Sequence, residues 1–352
     1  RDVTAVGFGA TNRISGMAIT LISTVPAFNL ASASPESQSG SGRPATNLFD
    51  MSGPGANASP YGKLRHVCLI LETSPDLHLD DQNWALQTAL LRVSDLIAGT
   101  TVGESPDEVE VFDTSLHHEG VPGIAYIPCM NSPQHYSDST EAYGAGIYGV
   151  TMQTPPWVLR PAEILDGAIC GSYSWQMTNN PVIMNLLRKH AAKQCNFVGV
   201  IAIRTRWSSQ AEKDLTANQA AKIASDIGAV GAVVTWDSGG NDFMEVARTV
   251  QACELVGVKT VLLTGEESSK SGGPALLEPL VEMDAIVSTG VGSNMWFEET
   301  SLPAVENVIG PTAVRLNFGP ESPLQLIDAF DEVETLQWED HYGFESRSCY
   351  TH

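Results

Sequence analysis

The clearest pattern in the sequence is a series of continuous apolar runs in its second half, separated by stretches with helical spacing. The runs predict strands at Asn196–Ile203, Ala229–Trp236, Lys259–Thr264 and Ala285–Ser288. The intervening stretches predict helices at about Ala211–Ile227, Asp242–Leu255 and Ala275–Met283. Strands that are apolar on both faces and alternate with helices are typical of a parallel sheet covered by helices on both sides. The C-terminal half is therefore predicted to be a doubly wound, mainly parallel α/β domain.

The first half has a less regular pattern. Val3–Ile22 alternates apolar and polar positions around glycines, which predicts short strands or a hairpin. Ala31–Asn47 is made mainly of Ser, Ala, Gly and Pro and predicts a long exposed connection. A βαββ succession follows, with a buried strand Arg65–Glu72, a helix Asp80–Ala98, and strands Glu108–Asp113 and Gly123–Pro128.

These patterns divide the chain into three regions. Residues 1–64 form an N-terminal β segment and linker, residues 65–195 a first α/β region, and residues 196–352 the doubly wound domain. We therefore expect an α/β fold with a β-rich N-terminal segment and a second α/β layer.

Composition narrows the classes of function. The 352 residues include 19 basic and 41 acidic side chains, for a formal charge of −22, so neither nucleic acid nor an anionic membrane is expected as a partner. No apolar run approaches the ~20 residues that span a bilayer. The six cysteines are dispersed without a CxxC pair, which is typical of reduced thiols and favours a cytoplasmic location. No histidine and cysteine set has the spacing of a known metal site, and we assign no metal ligand.

The segments that follow the predicted strands are rich in Gly, Ser, Asn and acids, and ligands of open parallel sheets bind at this edge. Glycine lets the backbone approach a ligand, and short polar side chains can orient it. Candidate substrate-binding residues here are Ser238, Gly239, Asn241, Glu266, Thr289 and Gly290. Asp242 is a candidate catalytic acid or base, or alternatively a simple helix cap. No dinucleotide fingerprint, P-loop, GxSxG or HExxH motif is present, so NAD, ATP and the corresponding hydrolase chemistries are poorly supported.

Four motifs occur in order along the chain: DMSGPGA at Asp50–Ala56, LDGAICGSYSWQMTNNPVI at Leu165–Ile183, NFVGVI at Asn196–Ile201 and LPAVENVIG at Leu302–Gly310. Together they make the sequence resemble the subunit precursor of component B of the glycine, sarcosine and betaine reductases, and the related D-proline reductase proprotein. Within the first motif, Asp50 and Ser52 are candidate substrate-binding residues.

The resemblance implies a specific chemistry. The family's precursor is cut before a cysteine in the second motif, which becomes a pyruvoyl group. That carbonyl forms a Schiff base with a small amine, and a cysteine or selenocysteine of a second component B-type subunit then attacks the carbon. In this chain Cys170 precedes Gly171, whereas the family places its reactive cysteine after the glycine. Ser172 or Ser174 is the residue type that could be processed in place of that cysteine. Cys170 and Ser172 are therefore candidate catalytic residues, although we favour an uncleaved loop.

Three functions remain open. The first is a subunit of a heteromeric enzyme that binds a small or cyclic amine and helps to break its C–N bond reductively. The second is a subunit repurposed to hydrolyse an amide or lactam, with acid and base from Asp242, Glu266 or Glu267, or with a metal held by His and Cys. The third is a non-catalytic scaffold. The three functions differ in the cofactor that they would require, and we assign none.

Overall fold

The computed structural model describes residues 12–23, 64–77, 79–131, 155–161, 163–166, 174–205, 209–236, 242–266 and 280–291. The strands are β1 Met17–Ile22, β2 Arg65–Ile70, β3 Gly123–Asn131, β4 Trp157–Leu159, β5 Asn196–Thr205, β6 Gly231–Trp236, β7 Lys259–Glu266 and β8 Ile286–Val291. The α-helices are α1 Leu79–Gly99, α2 Ser174–Thr178, α3 Pro181–Ala191, α4 Gln210–Asp226 and α5 Phe243–Leu255, and a 3-10 helix covers Glu163–Asp166. None of the helices in this part of the chain is long and apolar enough to cross a membrane.

Six of these strands form one sheet in the order β4-β5-β3-β6-β7-β8. Every pair is parallel except β4 with β5, which is antiparallel at the edge. The predicted α/β class with a mainly parallel sheet is confirmed. The chain moves from β3 to β5 on one side and then crosses to β6 on the other, so the strand order reverses between β3 and β6. This reversal is the topological switch point, where doubly wound sheets bind ligands at their carboxyl edge.

Successive side chains of each strand point to opposite sides of the sheet, so apolar residues lie on both faces and helices cover both. Ala125 and Ile127 of β3 pack with α4 and α5 in one apolar core. Tyr126 and Met130 of the same strand pack with α2 and α3 in the other. The α4 helix begins with a capping box, in which the Ser209 side chain accepts from the Glu212 backbone N–H and the Glu212 side chain accepts from the Ser209 N–H.

Two close contacts fix the amino edge of the sheet. A Cβ at Gly123, the first residue of β3, would collide with the backbone carbonyl oxygen of Gly228, so this position requires glycine. At the end of α5, the Glu254 carboxylate accepts hydrogen bonds from Lys259 Nζ at 2.7 Å and from the Thr260 N–H at 2.6 Å. These bonds tie the end of the helix to the start of β7.

The N-terminal strands form a separate two-stranded parallel sheet of β1 and β2. The strand character predicted for residues 17–22 is confirmed, and the described partner is β2. The strand predicted at Arg65–Glu72 is confirmed over Arg65–Ile70, but the prediction that it is buried is wrong, because its residues are half-buried or exposed. Residues 3–11 and the predicted connection Ala31–Asn47 lie outside the described residues.

Two further predictions need correction. Glu108–Asp113 forms no strand, and Val109 and Val111 are 72% and 81% exposed. Its alternation of Val and Glu is a local pattern, whereas a strand also requires a hydrogen-bonding neighbour. The last residues of the predicted helix Ala275–Met283 contain a turn at 281–282, and residues 275–279 lie outside the described residues. The three-region division stays a prediction, and the six-stranded sheet takes strands from both sides of residue 195.

Candidate functional site

The carboxyl edge of the sheet carries a threonine near the end of each of four parallel strands. All of them are buried, and they are Thr205, Thr235, Thr264 and Thr289. Thr205 Oγ1 donates to the Met130 carbonyl at 3.4 Å, and Trp236 Nε1 donates to Thr264 Oγ1 at 3.0 Å. These bonds link neighbouring strands where their ladders end. We call this row of buried hydroxyl groups at the carboxyl edge the polar rim, and polar groups of this kind can orient a ligand.

A hydrogen-bond network lies directly at the switch point. The Tyr126 hydroxyl of β3 and Thr235 Oγ1 of β6 are 2.7 Å apart, and Asn180 Nδ2 donates to the same hydroxyl at 2.9 Å. The Asn180 side-chain oxygen accepts from the backbone N–H groups of Val182 and Ile183, so Asn180 caps α3. The network connects the two strands at the switch point to the helix that covers one face.

A bond from the N-terminal region reaches the same junction between α2 and α3. Arg13 Nη2 donates to the Thr178 carbonyl at 3.2 Å and to Asn179 Oδ1 at 2.9 Å. The junction follows the predicted reactive segment in the chain. Hydrogen bonds from Arg13 on one side and from Asn180 on the other hold it in position.

Four ionisable side chains are buried close to this edge: Arg204, Lys213, Asp242 and Glu245. Lys213 Nζ and Glu245 Oε2 are 3.8 Å apart, and their side chains are 2% and 0% exposed. Both residues lie in the first turns of helices that follow β5 and β6, so the pair joins α4 to α5 beside the carboxyl edge. Burying charges costs desolvation energy, and such groups are more frequent at functional sites than elsewhere.

Asp242 differs from an ordinary helix cap. It occupies the N-cap position of α5 with helical backbone angles of φ −66° and ψ −26°, and its side chain makes no capping hydrogen bond. The side chain is buried, one helical turn before Glu245. Asp242 therefore has the cap position without the side-chain hydrogen bond of a cap, and its role as an acid or base stays a prediction.

The structure brings some of the predicted substrate-binding residues together. Glu266 ends β7, Thr289 and Gly290 lie in β8, and the two strands are paired in parallel with Glu266 opposite Val291. Thr289 is buried, and the Glu266 side chain is not among the described ones. Seven other predicted residues lie outside the described residues: Asp50, Ser52, Cys170, Ser172, Ser238, Gly239 and Asn241.

Two of the described cysteines have thiols of low reactivity, and both lie toward the amino edge of the sheet: Cys195 just before β5 and Cys253 near the end of α5. Burial raises the pKa of Cys195, and burial together with the neighbouring Glu254 raises the pKa of Cys253 to about 12. These two thiols stay protonated at neutral pH and are poor nucleophiles. Within the described ranges, no three His, Cys, Asp or Glu side chains come together as a metal site.

Sequence reasoning missed Arg204, Lys213 and Glu245, although helical phase gave a signal for the last two. Lys213 shares the buried side of α4 with Thr216, Ala217 and Ala220, at spacings of three, four and seven residues. Glu245 likewise belongs to the buried side of α5. A charged residue in the apolar phase of a helix is therefore a usable marker of a buried charge.

Comparison with known proteins gives a consistent picture. The family model described as glycine/sarcosine/betaine reductase component B subunits matches residues 1–319. The glycine reductase complex component B subunits alpha and beta of Acetoanaerobium sticklandii are 31% identical over 329 residues, which cover 88% of this chain and 69% of the relative. No solved structure matches the chain.

Relatives from Peptoclostridium acidaminophilum are named for other substrates. The betaine reductase complex component B subunit alpha is 31% identical over 75% of this chain and 62% of its own length. The sarcosine reductase complex component B subunit alpha is 27% identical over 75% of this chain and 63% of its own length. The chain thus spans between about three fifths and seven tenths of the curated relatives that it matches.

Proposed function

We propose that this chain is a subunit of a heteromeric enzyme that binds a small amine and helps to break its C–N bond reductively. The chain belongs to the family of glycine/sarcosine/betaine reductase component B subunits, and the proposal starts from that membership. The observation that supports this most directly is the polar rim at the carboxyl edge of a doubly wound sheet, with buried charges beside the switch point. The NFVGVI motif forms the first part of β5 in this sheet.

The chemistry requires the amine to be activated, because an amine is a poor leaving group. A pyruvoyl group, where present, would supply an electron sink for this purpose. The residue type fits, since Ser172 and Ser174 both lie in the relevant motif and Ser174 opens α2. The chain's own rim residues would bind and orient the substrate, and Asp242 would accept or deliver a proton. Buried polar groups act more strongly there than in water.

The thiol or selenol that attacks the carbon would come from a second subunit. The described Cys195 and Cys253 are unsuited to this step because their pKa values are raised. The relatives are named as parts of multi-subunit reductase complexes, which fits a partner of this kind. In the proposed reaction two electrons and two protons are consumed. The carbon gains a hydrogen in place of nitrogen, and the free amine is released.

The test uses the complex isolated with its natural partners and a dithiol as reductant. Glycine, sarcosine and betaine are supplied in turn, and the released amine and carbon product are measured. Reductive cleavage gives a product with hydrogen in place of nitrogen, whereas hydrolysis gives a hydroxyl there. Amine release that continues without reductant, with a hydroxylated product, would favour the hydrolase alternative. No release from any of the three substrates would count against the reductive function.

A matched pair of variants tests Asp242. Asp242→Asn removes the buried carboxylate, and Asp107→Asn makes the same change at an exposed position. We expect the first to lower kcat by about 100-fold or more, as for loss of a general acid or base, and the second to leave it unchanged. Equal activity of both variants would remove Asp242 from the proposed machinery and leave the subunit assignment intact.

Processing is tested separately by mass spectrometry under denaturing conditions. An intact mass without a carbonyl-reactive group supports the uncleaved loop that we favour for residues 170–173. Two fragments, with a carbonyl-reagent label at the start of the second, would instead place a pyruvoyl group at Ser172 or Ser174. Ser172→Ala and Ser174→Ala then identify which serine is used.

A further inference from the structure

We infer that Glu108–Asp113, which we name the docking segment, binds an extended segment of a partner subunit by strand pairing. The partner segment has apolar side chains at alternate positions and Lys or Arg beside them. This inference rests on the part of the proposed function that makes the chain a subunit of a heteromeric enzyme, and it adds the surface at which a partner binds.

The backbone of the docking segment is open to a neighbouring strand. Residues 108–113 contain no helix, turn or bend, so the chain passes through them without a sharp change of direction. In the part of the chain that the structure describes, no backbone N–H or C=O group of residues 108–112 makes a hydrogen bond. A straight segment with unpaired N–H and C=O groups is a template for pairing with another chain.

Three contacts hold the docking segment in place. The Glu110 carboxylate accepts hydrogen bonds from Arg188 Nε at 2.9 Å and from Arg188 Nη2 at 3.2 Å, and Arg188 belongs to α3. His190 Nε2 of the same helix donates to the Asp113 carbonyl oxygen at 3.0 Å. Phe112 packs against the apolar core that contains α2 and α3. Because the segment is held before a partner arrives, binding costs little ordering of this chain.

Two valines of the docking segment lie between the anchored positions and are left to solvent. Val109 and Val111 are 72% and 81% exposed, although valine is favoured in strands and rarely so exposed on both of two alternate positions. Their alternation with Glu110 and Phe112 is that of a strand, and the structure provides no neighbouring strand for it among the described residues. In strand addition the main-chain hydrogen bonds give affinity, and contacts of alternate side chains give specificity. Apolar side chains at alternate positions of the partner would cover the two valines.

The charge around the docking segment favours a basic partner over a second copy of this chain. Residues 104–113 include five acidic side chains, and no Lys or Arg occurs between Arg92 and Arg160. Among the described residues, Glu110 has an ion pair with Arg188, whereas the other four acids have none. Two copies paired through this segment would bring acidic side chains together, and like charges on opposite strands are destabilising. A partner that carries Lys or Arg complements this charge, which gives specificity and faster association.

The first measurement is hydrogen–deuterium exchange of the full chain alone and of the complex isolated with its natural partner subunits. Unbonded, exposed amides exchange rapidly, and amides in a strand ladder exchange slowly. We expect the amides of residues 109–112 to exchange about 100-fold or more slowly in the complex than in the chain alone. Peptides from α4 serve as the internal control and should exchange equally in both samples.

The second measurement is the Kd between the full chain and the partner subunits purified from the complex. Val111→Lys removes an apolar contact and adds a charge that repels a basic partner, and we expect it to weaken binding by about tenfold or more. Val281→Lys makes the same change at a valine that is 94% exposed outside the docking segment, and it should bind as the wild type does. Higher salt should weaken wild-type binding, because it screens charge attraction. Circular dichroism establishes that both variants are folded.

The outcomes that overturn the inference are distinct from those that overturn the proposed function. Slow exchange of residues 109–112 in the chain alone, at every concentration, would assign the docking segment to another part of this chain. Slow exchange that appears as the chain alone is concentrated would assign it to a second copy. Fast exchange in the complex, or equal Kd values for Val111→Lys and the wild type, would show that the partner binds elsewhere. In each of these cases amine release by the complex leaves the proposed function standing, whereas a chain isolated without any partner and without amine release contradicts both.

Discussion

Replacing Asn180 by Ala tests whether the network at the switch point stabilises the fold as its geometry indicates. The change removes the cap of α3, which is worth about 1 kcal/mol. It also removes the hydrogen bond to the buried Tyr126 hydroxyl, worth about 1 kcal/mol more. Because the residue is fully buried, a small cavity adds to the cost. The expected loss in the free energy of unfolding is about 2–3 kcal/mol.

The assay is urea-induced unfolding followed by circular dichroism. Ser209→Ala is the matched control because Ser209 caps α4 from an exposed position, and its loss should cost about 0.5–1 kcal/mol. A double-mutant cycle with Tyr126→Phe isolates the bond between the two side chains, for which we expect a coupling energy of about 1 kcal/mol. The reasoning is refuted if Asn180→Ala costs no more than Ser209→Ala, or if the coupling energy is zero.

Three further predictions concern stability. Lys213→Met should lower the free energy of unfolding by about 3 kcal/mol or more in urea melts, because it leaves the buried Glu245 charge unpaired. Combining Lys213→Met with Glu245→Leu should restore the stability. Equal urea melts of the single variant and the wild type would contradict this. Although burial acts in the opposite direction, hydrogen bonds from the start of β7 lower the pKa of Glu254 from 4.5. The ionised Glu254 should therefore add to the free energy of unfolding above pH 4.5, and this stabilisation should be lost as the pH falls through the lower pKa of the folded state. The loss of stability caused by Glu254→Gln should accordingly become smaller in acid. A loss that does not change with pH would disprove this. Gly123→Ala should cost about 1–3 kcal/mol, measured by the same melts, because its Cβ would strike a backbone carbonyl that cannot easily move.

The central strands could be predicted because their physical signal is strong and local. Strands β5 and β6 are buried at nearly every residue, and a run of apolar residues reports that directly. Helix α3 was absent from the prediction, although Asn180-Pro181 is a good helix start and Val182, Ile183, Leu186 and Leu187 follow at helical spacing. The motif Leu165–Ile183 covers only the first turn of this helix, and the helical spacing continues beyond it.

Other features depend on partners that are distant in sequence. Val109 and Glu110 alternate as strand residues do, yet alternation cannot reveal whether a neighbouring strand exists. Among the candidate substrate-binding residues, Thr289 and Gly290 lie toward the carboxyl end of β8, and their role stays a prediction. The burial of Arg204 could not be predicted in the same way, because it depends on which residues share its face of the sheet, and Arg204 is paired with Met130 of the α2 and α3 core.

The position of β3 between β5 and β6 has a consequence for any peptide-bond cleavage within residues 167–173. The two products would be interleaved, since the first contributes β3 and β4 and the second contributes the strands on both sides of β3. Separation would require breaking the two parallel ladders of β3 and the antiparallel ladder between β4 and β5. A nicked protein should therefore migrate as a single particle on a native gel and come apart in detergent.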